Sequence, residues 1–401
     1  MKNRLWLTIA FILAILHVGA QDFWSIENEG DLDKASSLSD TLYLEFIGYT
    51  PNLDSIADKY RNRVFGLRLY NLELHSTKVL ALFPNINELT IYSGHIDVFD
   101  FKDLPDGLKV FNISFRPRRL LNSQILVAGN IELYHVGLTG RKWSKDDLFD
   151  ILKKKSINSV YLKQVDLRDL DVELISPNIE VLTLIDCKLS DLVNYNFNTQ
   201  GKMRELNVYN CKLKSIESLS KMESLTSVTF VDCKLKSPDF ITELSNLKYA
   251  SLRYNKFNGV FVLNNPSIEF LDLSHNNIRV FGKKRSAKEL KLDVSYNKLD
   301  SVFGLESGLK VFYHLGNTSP IKGLSAIGFN DICCMSYSCE MMRNRIVPKT
   351  AKLIFYDCDE ALEFLEDKID SEQVLLPSFV TYGSRRLLNC EDYSMPSIMT
   401  L

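Results

Sequence analysis

The sequence predicts an α/β solenoid: short strands stacked into a parallel sheet on the concave side of a curved stack, closed by a disulfide-rich C-terminal cap. Three observations predict it. Apolar residues recur in one frame at steps of about 20 to 24 residues over most of the chain. The first twenty residues carry the features of a secretory leader. Five of the eight cysteines fall after the last repeat.

The repeat is clearest in the middle of the chain. Ile179-x-x-Leu182-x-Leu184-x-x-Cys187-x-Leu189 is followed by Met203-x-x-Leu206-x-Val208-x-x-Cys211-x-Leu213 and Leu225-x-x-Val228-x-Phe230-x-x-Cys233-x-Leu235. The same frame continues through Leu252 and Asn255, Leu273 and Asn276, Val294 and Asn297, and His314 and Asn317. Upstream its second strand position falls on Phe46, Leu69, Ile91, Ile113, Leu133 and Leu162, so about thirteen repeats are expected over residues 41–328. This is the leucine-rich-repeat consensus, and it implies a horseshoe. Alternate residues of each strand point inward. One repeat cannot bury its apolar edge alone, so neighbours stack into a common core.

Three residues after the second strand position lies a column that reads Cys187, Cys211, Cys233, Asn255, Asn276, Asn297 and Asn317. An inward Asn there would hydrogen-bond backbone groups that are otherwise buried without partners. Cys makes a weaker version of that contact and packs as a small hydrophobe. The C-terminal half is therefore expected to be the more regular. One step, from Leu133 to Leu162, is 29 residues long. It holds Ser144-x-x-Asp147, a capping-box pattern, and the apolar face Leu148, Ile151 and Leu152, which predict a packed helix over about Ser144 to Lys154.

Lys2 and Arg4, the apolar run Leu5 to Leu16 and the small residues of Val18-Gly19-Ala20 predict a cleaved signal peptide over residues 1–20. No later segment is apolar enough to span a bilayer, and Ser394 to Leu401 lacks the tail a lipid anchor needs. Secretion follows as the expected location. The 48 basic and 50 acidic residues balance, which gives no support for nucleic acid as a partner. Residues 21–40, with Phe23, Trp24 and Ile26, are expected to cap the first strand without a disulfide.

The ladder positions of Cys187, Cys211 and Cys233 call for free buried thiols. Their ~5 Å spacing also permits a disulfide, whereas one column does not form a metal tetrahedron. Cys333, Cys334, Cys339, Cys358 and Cys390 belong to the cap and tail, residues 329–401. In an oxidising compartment they are disulfide candidates. Five is odd, so one thiol, with Cys390 the first choice, is left for an interchain bond.

A leader, about a dozen repeats and a closing Cys333-Cys334, Cys339 and Cys358 with an Asn330-Asp331 lead-in resemble the mosquito leucine-rich-repeat immune proteins. Only Glu360 to Ile369 offers a short amphipathic helix, so the resemblance is to members without a long coiled coil. It implies a protein of haemolymph immunity with a protein partner, either a complement-like thioester protein or another repeat protein, and a disulfide-linked dimer. A matrix or developmental adhesion protein with the same repeats is the alternative reading.

No recognisable catalytic, phosphate-binding or metal motif occurs, and the six histidines are scattered. No enzyme activity and no cofactor are expected. The concave face is the candidate protein-binding surface, through Tyr70, Tyr92, Tyr134, Tyr161, Tyr209, Tyr249, Arg253, Asp272 and Asp293. Tyrosine offers contact area with little rotamer entropy to lose, and it is also simply a good strand residue. Two sequons occur, at Asn112 and Asn317; Asn112 is the expected acceptor and would place a glycan in the concavity.

Overall fold

The computed structural model describes residues 23–46, 51–115, 117–121, 133–140, 143–152, 156–168, 178–189, 202–213, 216, 219–220, 222–285, 289–314, 316–317, 321–323, 334–337, 352–355 and 374–375. Contacts divide these residues into two compact units, one ending at Ser218 and one starting at Leu219. The leader, Cys333, Cys339, Cys358, Cys390 and the 360–369 helix lie outside the described residues.

The N-terminal unit opens with β1 (Trp24–Ile26), α1 (Glu29–Leu38), β2 (Leu42–Phe46), α2 (Leu53–Tyr60), β3 (Val64–Ser76) and β4 (Glu88–Asp100). It continues with β5 (Val110–Ile113), β6 (Arg119–Leu121), β7 (His135–Thr139), α3 (Lys145–Leu152), β8 (Ser159–Lys163), β9 (Val181–Ile185) and β10 (Glu205–Tyr209). Strands β1 to β5 pair in parallel order, then β5 with β7, β7 with β8, β8 with β9 and β9 with β10. Each helix starts where the sequence supplies a cap. Asn28 Oδ1 accepts from the amides of Gly30 and Asp31, and Asn52 Oδ1 accepts from that of Ser55. Ser144 and Asp147 close the predicted box reciprocally at 3.1 Å each, and Leu148, Ile151 and Leu152 are buried. The helix is a packed element of its repeat.

Two differences from the sequence frame stand out. First, β7 is His135–Thr139, with Phe111 opposite Val136 and Ile113 opposite Leu138. The second strand residue is Leu138, and Leu133 fills the first consensus position of Leu133-x-x-Val136-x-Leu138. The steps on either side of this strand, 20 and 29 residues in the sequence frame, become 25 and 24. Alternating apolar residues at 131, 133, 136 and 138 allow both frames, and pairing with both neighbours selects one. Secondly, β3 and β4 run for 13 residues each. Their far halves, Leu72–Ser76 against Gly94–Val98, stay paired beyond the turn, and β6 adds to the end of β4.

The C-terminal unit holds β11 (Ser227–Val231), β12 (Tyr249–Ser251), β13 (Asn258–Asn264), β14 (Phe270–Asp272), β15 (Asn277–Arg285), β16 (Leu290–Asp293), β17 (Ser301–Phe303), β18 (Leu309–Tyr313), β19 (Cys334–Tyr337), β20 (Lys352–Phe355) and β21 (Val374–Leu375). Strands β11, β12, β14, β16 and β18 form the main parallel sheet. On the return side of each turn β13, β15 and β17 make a second parallel sheet. The main sheet does not stop at residue 328, where the repeats were expected to end. Strands β19, β20 and β21 extend it in parallel to Leu375.

The asparagine ladder is present. Asn276 Nδ2 donates to the carbonyls of Leu252 (3.1 Å) and Leu273 (3.0 Å), and its Oδ1 accepts from the Phe257 amide at 3.2 Å. Asn255, Asn297 and Asn317 repeat the arrangement. In the cysteine stretch, Cys187, Cys211 and Cys233 are free and buried. The Cys211 thiol lies 3.3 Å from the Tyr209 carbonyl and 3.9 Å from that of Leu184, the weaker contact expected of sulfur.

Candidate binding surface

The surface to be judged is the face of each sheet that points away from the core. In the N-terminal unit it is closed by its own side chains. Tyr70 and Tyr92 stack at 4.6 Å, and the Tyr70 hydroxyl donates to Glu45 at 2.9 Å. Burial, the leading cause, pushes both phenols above the ordinary tyrosine range. Beside them Arg68 forms a buried ion pair with Glu88 at 2.9 Å, and its guanidinium lies 3.7 Å from the centre of the Phe23 ring. Burial holds the Glu88 carboxyl above its usual range, outweighing the pull of Arg68. Phe23 closes onto Arg68 and meets the Tyr43 ring edge to face.

A polar chain crosses the next strands. Asn112 Nδ2 donates to Thr90 Oγ1, and Asn112 Oδ1 lies 3.1 Å from His135 Nε2. His135 Nδ1 lies 2.8 Å from Ser159 Oγ. Because Asn112 Oδ1 can only accept, these partners assign the Nε2–H tautomer, with Ser159 donating to Nδ1. The imidazole is neutral, and burial lowers its pKa to about 4. A glycan at Asn112 does not fit this arrangement. The residue is 3% exposed, its amide nitrogen is engaged, and a Cβ at the facing Gly137 would come within 2.0 Å of its Oδ1. The Asn317 amide is likewise engaged, by the carbonyls of Val294 and His314. The sequence motif reports the acceptor type but not the side chain's role in the fold.

The remaining candidates divide between the units. Tyr161 is buried on β8, facing Gly137 and Thr183 on the neighbouring strands. Burial pushes its phenol up. Tyr209 ends β10 and is also buried. Tyr134 was placed on the sheet face, and the new register removes it. It precedes β7, is 53% exposed, and Gly137 takes the strand position between Asn112 and Tyr161. In the C-terminal unit Tyr249 and Arg253 are half-buried. Asp272 and Asp293 are buried, each accepting from the amide two residues on, that of Ser274 or Ser295, at 2.8 Å. Parallel strands ~4.8 Å apart bring large side chains into mutual cover. The predicted tyrosines and carboxylates are mostly packing groups.

Exposed aromatic surface lies elsewhere. Two residues after the second strand position the backbone turns through the left-handed region, in a column running Asn71, Gly140, Gln164, Asp186 and Asn210 in one unit and Asp232, Tyr254, His275, Tyr296 and Gly316 in the other. Tyr254, His275 and Tyr296 stack there, at 4.1 and 4.4 Å with planes within 12°. Tyr254 is 49% exposed and Tyr296 41%. The signal was in the sequence: an aromatic residue stands directly before each of Asn255, Asn276 and Asn297.

No group of three metal-ligating side chains converges among the described residues. No helix among them is long and apolar enough to cross a membrane.

No family model matches the chain, and no curated protein matches it. Among solved structures, a leucine-rich-repeat protein of Leptospira interrogans aligns over 83% of this chain and 99% of its own, at 15% identity and a TM-score of 0.52. An internalin of Listeria monocytogenes aligns over 83% and 95%, at 12% identity and a TM-score of 0.51. The leucine-rich-repeat domain of APL1B aligns over 86% and 91% at 14% identity, with a TM-score of 0.44, and adds nothing to the fold shown by the first two. The chain has the leucine-rich-repeat fold.

Proposed function

We propose that the chain is a secreted, non-enzymatic recognition protein of insect innate immunity that holds a haemolymph protein on its repeat surface. The observation that carries the recognition reading is the exposed Tyr254–His275–Tyr296 column on a backbone fixed by the asparagine ladder. Rigid, half-exposed aromatic groups on an ordered scaffold are the usual anchors of protein recognition. The immune setting is supported by the resemblance in the leader and in Cys333-Cys334, Cys339 and Cys358. That resemblance also names the partner, a complement-like thioester protein or a second repeat protein, and a disulfide-linked dimer through one of the five terminal cysteines. The test is expression of the full chain in insect cells. Secretion with Gln21 as the first residue, a covalent dimer on a non-reducing gel and binding of a purified thioester protein are the expected results. A secreted monomer that binds neither candidate partner would point to the adhesion reading instead.

A further inference from the structure

We propose that the lateral edge of the C-terminal unit is a docking surface for an extended, acidic segment of a protein partner; this rests on the reading that the chain binds proteins. The left-handed corner is open to Gly and disfavoured for L residues, least so for Asn, Asp and His and more so for Tyr. The repeats on either side obey this with Asp232 and Gly316. Between them three aromatic residues hold φ of 58°, 56° and 53°. The core does not enclose them, since Tyr254 and Tyr296 are only about half-buried. Backbone strain kept without a packing reason directs attention to the surface it creates.

The ring faces within the stack and at its Tyr296 end are closed. His275 lies between the two tyrosines. On the far side a Cβ at Gly316 would come within 2.5 Å of the Tyr296 ring, so that ring lies against glycine backbone. What the stack offers is its edges. Sugars and nucleic-acid bases stack on open ring faces, and those of His275 and Tyr296 are taken. Beyond the buried ladder residues Cys233, Asn255 and Asn297 the chain emerges again at Lys234, Lys256 and Lys298, all exposed. Lys234 is paired with Asp232, and the nearby Asp300 with Arg279. Lys256 and Lys298 have no ion pair among the described residues. The edge is therefore aromatic and carries uncompensated positive charge, which complements carboxylates. Lys256 and Lys298 are two repeats apart, about 10 Å at the spacing of parallel strands. Three residues of an extended polyproline-II segment, one full turn, cover about the same length and bring i and i+3 to the same side. Acidic side chains at i and i+3 would reach both ammonium groups while the intervening backbone lies along the ring edges.

The test uses the full secreted chain and fluorescence anisotropy with a fluorescein-labelled peptide of four Glu-Gly-Gly triplets. Its Gln-Gly-Gly counterpart and a heparin oligosaccharide serve as the other arms. Saturable binding of the Glu peptide is expected, weakening with salt and falling about tenfold or more in Lys256→Glu/Lys298→Glu. Tyr254→Asn/Tyr296→Asn should lower it as well, with circular dichroism melts confirming that both variants fold. Equal binding of the Gln peptide, no saturable binding of the Glu peptide, or indifference to both variants would overturn the proposal. Binding of heparin alone would assign the edge to a sulfated sugar and overturn it too. If the edge fails while the purified thioester protein still binds, recognition lies elsewhere on the chain. If no protein binds, the broader reading fails.

Discussion

The two units solve one problem in different ways. Every turn of the solenoid buries backbone carbonyls and amides that need partners. In the C-terminal unit Asn255, Asn276, Asn297 and Asn317 supply them from inside the turn. The surface side chains are then free of structural duty, and aromatic residues stand half-exposed at strained corners. In the N-terminal unit no asparagine ladder runs through the described repeats. Paired long strands and side chains on the sheet face hold the register there: Arg68 with Glu88, Tyr70 with Glu45 and Tyr92, and Thr90 through Asn112 and His135 to Ser159. The comparison teaches where a binding surface can be. A side chain already engaged in holding the fold is not available to a partner without loss of stability.

Breaking the N-terminal device should have the largest effect. Arg68→Met leaves the Glu88 carboxylate buried without its cation, at a cost of roughly 3–5 kcal/mol. Chemical denaturation should show it, and Arg68→Met/Glu88→Leu should recover most of the loss. In the ladder, Asn276→Ala leaves the Phe257 amide without its acceptor and takes one of two donors from the carbonyls of Leu252 and Leu273, which keep Asn255 and Asn297, and is expected to lower stability by roughly 2 kcal/mol. Cys211→Ala removes only sulfur contacts and a small volume, and should cost about 1 kcal/mol. Equal losses would mean that the cysteine stretch is held as tightly as the asparagine stretch.

Acid sharpens the comparison differently, because each unit contains one buried neutral histidine. His135 and His314 both have pKa values lowered to about 4, chiefly by burial. The unfolded chain takes up these protons near pH 6.5, and the folded chain only near pH 4. Stability is therefore fully present above about pH 6.5 and falls as pH drops toward 4, by roughly 3 kcal/mol for each histidine. Melting temperatures across that range should decline, and less steeply in His135→Gln.

Much of the fold was legible because the repeat is a matter of period. The strand positions from Leu162 to Val294, the ladder and the Ser144 helix follow from spacing and caps. Leu133 was misassigned because its apolar neighbours fit two frames, and only pairing with β5 and β8 separates them. Strands β19 to β21 were not legible because their segments lack the consensus. The surface was less legible. Alternation tells which side of a strand a residue faces, and it put Tyr92, Tyr161, Asp272 and Asp293 on the outward side of the sheet. It does not tell how far neighbours cover it, and these four are buried. Asn112 read as a glycan acceptor because the motif is blind to His135, which is distant in sequence and adjacent in space.

The most direct test sets one tyrosine pair against the other. Tyr70→Ala/Tyr92→Ala and Tyr254→Asn/Tyr296→Asn each remove two stacked aromatic rings, and denaturation midpoints are compared with the parent chain. The first should lose roughly 2–4 kcal/mol, as buried packing is removed. The second should be unchanged or slightly more stable, because asparagine accepts the left-handed corner. A loss in the second pair as large as in the first would contradict the account. It would mean that the exposed aromatic column holds the fold and is not available to a partner.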